Sequence, residues 1–306
     1  MNFNVQPLLR LFRQHRRLER EVARLREWRA HWEKFAPPGH FYSPIPDANE
    51  IEQAFQRDDF GPPFPGINLN EEQQFERIRR FAGWYSQHPF VEHPAPDRRF
   101  YLQNASYGHE DAIMLYGMLR EAAPRRIIEV GSGFSSAAML DIDEHLLNRT
   151  VDFTFIDPDF GRLRPLLRPA DLTRATLLEQ KVQDVPLSTF AALEKNDVLF
   201  IDSSHVSKIG SDVNHLFFRV LPSLAPGVLV HIHDVAARLE YPPEWLREGR
   251  AWNEIYLLRA FLMFNSAFRI ELFTSWMMRV NRPYVEEHMP MCRQRGGGQI
   301  WLRKTA

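Results

Sequence analysis

From residue 126 onward, short apolar runs alternate with longer amphipathic stretches. The runs at 126–130, 152–156, 175–179, 197–201 and 227–231 read as strands. The intervals between them have room for the crossover helices of a parallel sheet. Two further strands are expected at 268–273 and 299–303, with no clear helical run between them, which fits an antiparallel last strand. Helical spacing predicts helices over Tyr107–Arg120 (apolar face Ile113, Leu115, Met118, Leu119), Ser135–Leu147, Ser207–Val220 and Asn253–Phe264. The pattern predicts an α/β fold: a doubly wound, mostly parallel seven-stranded sheet.

The chain before residue 106 reads differently. Residues 7–35 form one expected helix, with Pro7 tolerated in its first turn. Leu8, Leu11, Leu18, Val22, Leu25 and Trp32 make an apolar stripe that His15 and Arg29 interrupt. The helix holds nine bases against four acids. A coiled coil that joins copies of the chain into a homo-oligomer is the leading reading. Packing on its own domain comes second, and contact with anionic lipid last, because glutamates dilute the polar face. Pro37-Pro-Gly39 stops this helix. A short helix over Asp47–Gln56, a turn-rich loop over Asp58–Gly66 and a helix over Glu71–Ser86 capped by Asn70 with Gln73 follow. The expected division is an oligomerisation segment at 1–36, a proline- and aromatic-rich wrap covering the substrate site at 37–105, and the catalytic domain at 106–306.

Ligands of open α/β sheets collect beyond the carboxyl ends of the strands. Polar residues stand at five of those ends: Glu129–Ser136, Asp157, Gln183–Asp184, Asp202–His205 and His233–Asp234. The first is Glu129-Val-Gly131-Ser132-Gly133-Phe-Ser135-Ser136, a strand, a glycine turn and the start of a helix. Such a turn suits an adenosine-containing ligand, and Glu129 favours a cationic group over a pyrophosphate. Ser136 stands where a dinucleotide fingerprint has Gly or Ala.

These residues resemble the class I S-adenosylmethionine-dependent methyltransferases over about residues 106–306. The resemblance implies cofactor contacts from Glu129, Gly131, Ser132, Gly133 and Ser135, ribose contacts from Asp157, and adenine contacts from Gln183 and Asp184. Asp202-Ser-Ser-His205 and His233-Asp234 are most similar to the metal-dependent macrolide-sugar O-methyltransferases. That likeness implies His205 as general base, Asp202 as a catalytic residue and metal ligand, and Asp234 as a second ligand. His233 departs from the acidic pair of that family and adds an imidazole to the site, which shifts the expectation from Mg²⁺ toward Mn²⁺ or Fe²⁺, or toward no metal. A metal would acidify a hydroxyl, and a histidine with an ordinary pKa of about 6.5 would take its proton near neutral pH. Trp252, Asn253 and Glu254, at the start of a helix, are expected to face a carbohydrate-containing acceptor together with Tyr107. His231 is expected to be packed, and Gly296–Gly298 to be a turn into the last strand.

Composition narrows the picture further. The 306 residues carry a net charge of −1, which gives no basis for nucleic acid as a partner. The single cysteine, Cys292, forms no internal disulfide. No apolar run reaches the ~20 residues of a membrane span. The N-terminal residues lack the pattern of a secretory signal, and a cytoplasmic location is expected. Two other functions remain open at this point: a nicotinamide-dependent oxidoreductase, and a non-catalytic binding module on the same fold. Binding of S-adenosylhomocysteine or of NAD separates the first from the methyltransferase, and His205→Ala with Asp202→Ala separates the second.

Overall fold

The computed structural model describes residues 6–32, 35–57, 61–294 and 296–306. These fall into two compact units, the described part of Met1–Asp59 with Pro243–Ala251, and the described part of Phe60–Pro242 with Trp252–Ala306. The smaller unit is helical, with α1 (Gln6–Trp32), α2 (Ala48–Arg57) and a short helix at Pro243–Arg247. α1 is rich in Arg, Glu, Leu and Ala, all strong helix formers, and contains no glycine.

The larger unit is built on one seven-stranded sheet in the order β3-β2-β1-β4-β5-β7-β6. Its strands are β1 (Arg126–Val130), β2 (Asp152–Ile156), β3 (Ala175–Leu178), β4 (Val198–Ile201), β5 (Leu229–His233), β6 (Phe268–Phe273) and β7 (Gln299–Lys304). β1 to β5 pair in parallel, whereas β7 lies antiparallel between β5 and β6. β4 and β5 are buried along their whole length. Helices cover both faces of such a sheet, which is why these strands read as unbroken apolar runs. The strand order reverses between β1 and β4. Right-handed crossovers therefore send the β1–β2 helix, α5 (Phe134–His145), and the 212–223 helical run to opposite faces. A crevice at the carboxyl ends of β1 and β4 follows from that reversal.

Four local expectations are corrected. β5 starts two residues late because Gly227 turns at φ +94° and donates to the Lys304 carbonyl (2.7 Å), which makes His233 the last strand residue. Two helices, α6 (Thr274–Val280) and α7 (Arg282–His288), fill the interval before β7 that lacked a clear helical pattern. Asn70 does not cap α3 (Glu71–Trp84). It takes φ +52° and reaches the Ile270 carbonyl instead (3.4 Å). The helix expected from Ser207 begins at Asp212, where the Ser211 hydroxyl accepts from the Asn214 N–H (3.1 Å).

Ionic pins fasten the irregular 61–103 segment to the sheet domain. Buried Arg99 reaches Asp141 (2.8 Å), Glu144 (2.7 Å) and Asp171 (2.5 Å). Arg77 of α3 bridges Glu271 on β6 (2.7 Å) and Glu121 of α4 (His109–Ala122; 3.0 Å). A buried arginine surrounded by acids is held because removing it would strand their charges.

Candidate active site

The glycine turn after β1 is fixed by contact with β4. Gly131 has φ +86°, and a Cβ there would lie 1.8 Å from the backbone oxygen of Asp202, so only glycine fits. The Ser132 N–H donates to Asp157 Oδ2 (2.8 Å) and the Asp159 N–H to Asp157 Oδ1 (2.9 Å), which ties the ends of β1 and β2 together. Ser136 has a structural task that explains its place in the motif. Its hydroxyl accepts from the Gly133 N–H (3.0 Å) and donates to Glu129. Ser135 donates to the other oxygen of the same carboxyl (2.5 Å).

This turn sets the surroundings of Glu129. It is fully buried, and both of its oxygens hold hydroxyls of the first turn of α5. Burial pushes it up to about 8 against the pull of the two serines, and the charges of Asp202 and Asp157 add to the rise. At neutral pH the group is mostly protonated and supplies little negative charge. It braces the turn.

At the ends of β4 and β5, acids and imidazoles alternate. His205 Nδ1 lies 2.9 Å from Glu254 Oε2. Its Nε2 lies 3.4 Å from both Asp202 Oδ1 and Asp234 Oδ2. His233 continues the series, with Nδ1 3.4 Å from Asp234 and Nε2 3.6 Å from Asp111. Asp202, His233 and Asp234 each offer an atom within 4.8 Å of the others. Trp252 lies over the His205 ring at 4.4 Å, and Tyr107 lies against His233 at 5.2 Å. His205 and Asp234 both take left-handed backbone angles (φ +58° and +56°), a cost that persists where neighbours over-determine it.

The electrostatics are set by this alternation. Burial opposes charge on His205, but Asp202 and Glu254 outweigh it and hold the imidazole up at about 10, not at 6.5. Burial likewise opposes charge on His233, and Asp202 and Asp111 raise it well above its ordinary value. Asp202 is lowered despite its burial because both imidazoles face it. Several buried atoms here lack a hydrogen bond within the protein: Tyr107 Oη, Ser132 Oγ, Ser203 Oγ, Glu254 Oε1 and both ring nitrogens of His233. Buried polar atoms are normally satisfied, so such a concentration marks a place for a ligand.

All five strand-end groups lie at one edge of the sheet, but not all have the expected surroundings. The Asn253 side chain grips the backbone of Ser207, accepting its N–H (2.5 Å) and donating to its carbonyl (3.1 Å). Glu254 is turned to His205 through Oε2, which leaves its Oε1 without a hydrogen bond within the protein. Gln183 donates to the Gly210 carbonyl (2.7 Å), and Asp184 is exposed on the same short turn after β3. His231 is packed as expected, stacked on Phe200 at 3.7 Å.

Sequence reasoning misses Asp111 and takes the Gly296–Gly298 turn only as the entry to the last strand. Asp111 is fully buried and accepts from the N–H groups of Gly297 (2.8 Å) and Gly298 (3.3 Å). A Cβ on Gly296 would strike Asp111 at 2.0 Å, and one on Gly297 would strike Asp234 at 2.2 Å. The turn into β7 is thus also the floor under the acid cluster. Two adjacent acids, Glu110 and Asp111, ahead of eight uncharged residues were the available signal.

A protein-family profile described as a methyltransferase domain matches residues 128–235, which run from within β1 to just past β5. An uncharacterised protein of Archaeoglobus fulgidus is 33% identical over 171 residues, covering 53% of this chain and 76% of that relative. Among solved structures, a Mg-SAM form of CmcI aligns at 20% identity over 64% of this chain and 72% of its own, with a TM-score of 0.38. The SAH-bound Podospora anserina methyltransferase PaMTH1 aligns at 13% identity over 85% and 97%, with a TM-score of 0.42. The profile covers the glycine turn and the acid–imidazole ends of β4 and β5. The chain belongs to the class I S-adenosylmethionine-dependent methyltransferases.

Proposed function

We propose that this methyltransferase acts on a hydroxyl oxygen of a sugar or glycosylated metabolite, with His205 as base and a divalent metal at Asp202, His233 and Asp234. One observation carries the reading. Beside the glycine turn, an imidazole with one nitrogen on a buried carboxylate aims the other at two more carboxylates. With a carboxylate 2.9 Å from Nδ1, that nitrogen holds the proton and Nε2 is the one that exchanges.

The three proposed ligands suit a metal: two carboxylates and a buried imidazole without a hydrogen bond, within 4.8 Å, a donor set for Mn²⁺ or Fe²⁺ as well as Mg²⁺. A divalent ion there would acidify the acceptor hydroxyl and, by neutralising Asp202 and Asp234, return His205 toward its ordinary range so that Nε2 can accept the proton. Glu254 keeps the ring oriented, and Trp252 covers one of its faces. The exposed part of that indole is an apolar platform of the kind that receives a sugar ring. Asp157, with lone pairs left beyond its two backbone partners, would take the ribose hydroxyls, and Gly131–Gly133 would let the backbone approach the donor. The rest of the rate comes from aligning oxygen, methyl carbon and sulfur.

The test is methyl transfer to a panel of glycosylated acceptors, followed by mass spectrometry with and without EDTA. The expected result is turnover lost to EDTA and restored by Mn²⁺ or Mg²⁺, with S-adenosylhomocysteine affinity nearly unchanged. Full turnover in metal-free buffer would remove the metal from the account. Methylation at nitrogen or carbon, with no hydroxyl accepted, would overturn the acceptor class.

A further inference from the structure

The methyltransferase chemistry makes no use of α1. Leu11, Leu18, Val22 and Leu25 are 64%, 54%, 43% and 54% exposed on it, a row of large apolar side chains turned to solvent. Leu11, Leu18 and Leu25 recur every seventh residue, the spacing of a coiled-coil seam. Assigning them to heptad position d places Val22 at a. Arg10, Arg13, Arg16, Arg17, Arg20 and Arg24 then occupy b, c and f, the outer face. The positions that border the seam hold Phe12, Glu19 and Arg26 at e and Gln14, Glu21 and Trp28 at g, and Arg29 falls at a.

This distribution selects the partner. A helix lying on anionic lipid places its bases beside the apolar stripe, where they reach the headgroups. Here two glutamates and one arginine, Arg26, border the stripe, and six arginines stand opposite it. In a parallel pair, position g meets e of the next heptad on the other helix, so Glu21 meets Arg26 of the second copy, twice by symmetry. In an antiparallel pair that sets Val22 against Leu18, Glu21 would face Glu21 and Glu19 would face Glu19. Charge favours the parallel arrangement. His15 and Arg29, both at a, interrupt the seam; polar residues at that position cost stability and fix register.

We propose that α1 pairs with α1 of a second copy of this chain as a parallel, in-register, two-stranded coiled coil. The seam is Leu11, Leu18, Val22 and Leu25, and Glu21–Arg26 pairs flank it. The proposal is independent of the acceptor and the metal.

The test is sedimentation of the full chain at micromolar concentration. The wild type is expected at twice 36.0 kDa, and Leu18→Glu with Leu25→Glu at 36.0 kDa, with unchanged S-adenosylhomocysteine binding as the control for folding. Glu21→Arg weakens association about tenfold and addition of Arg26→Glu restores it. Leu18→Cys forms a disulfide-linked dimer on oxidation, since equivalent d positions face each other in a parallel pair. A monomeric wild type overturns the proposal, as does a dimer indifferent to the two glutamates. A dimer that resists cross-linking through Leu18→Cys overturns the parallel arrangement. A monomer that co-floats with phosphatidylserine vesicles gives the helix to lipid instead.

Discussion

Replacing Glu254 by glutamine tests the chemistry most sharply, because it exchanges a carboxylate for a neutral group of the same shape. His205 is held at about 10, against an ordinary 6.5. That difference of about 3.5 pH units corresponds to about 5 kcal/mol at 1.36 kcal/mol per unit. Burial pulls the other way, so the facing carboxylates supply more than this net figure. Asp202 is the first contributor and Glu254, at 2.9 Å, the second. Loss of one of two such charges lowers a neighbouring imidazole by about 1–2 pH units. Histidine-selective NMR titration of the metal-free protein, with His205 assigned by its substitution, reads this directly. Glu254→Gln is expected to move the His205 midpoint down by at least about one unit. It is also expected to cut kcat about 10- to 100-fold while leaving the KM for S-adenosylmethionine within about twofold. Glu254→Asp should recover part of the loss. An unmoved midpoint would refute the pairing, and an unmoved midpoint with normal kcat would remove Glu254 from the mechanism.

Three further outcomes are expected. Gly131→Ala, which sets a Cβ 1.8 Å from the Asp202 oxygen at a positive φ, should abolish S-adenosylhomocysteine binding or lower Tm by several degrees in thermal denaturation; a normal Tm with normal affinity would contradict the close approach. Glu129→Gln should change cofactor affinity less than about fivefold at pH 7, because burial already holds that carboxyl at about 8; a loss above about a hundredfold by calorimetry would restore its charge to the account. The raised pKa of His205 contributes stability that is complete below about 6.5 and is lost as pH rises through about 10, so urea unfolding should show stability declining between those values, with a shallower decline in His205→Gln.

The sheet was legible in the sequence because central parallel strands are buried on both faces and read as apolar runs. β1, β2 and β6 lie where those runs lie. β5 was misplaced because Gly227 and Val228 look like strand but serve the turn. The crevice was legible because all parallel strands deliver their last residues to one edge, so Asp157, Asp202, His205 and His233 could be read as neighbours. What a residue faces there depends on distant parts of the chain. Glu254 reaches His205 across 49 positions, and the floor of the acid cluster comes from Gly297, 186 positions from Asp111. No local pattern encodes those contacts. The state of Glu129 was hidden for another reason: its charge depends on burial, and a sequence shows a carboxyl without showing its solvent.

The central claim is that the crevice between β1 and β4 holds a methyl donor. Calorimetric titration of the full chain with S-adenosylhomocysteine, and separately with NAD, tests it most directly. One-to-one binding of the nucleoside thioether with no detectable heat from NAD is the predicted result. Saturable binding of NAD by a protein indifferent to S-adenosylhomocysteine would contradict it.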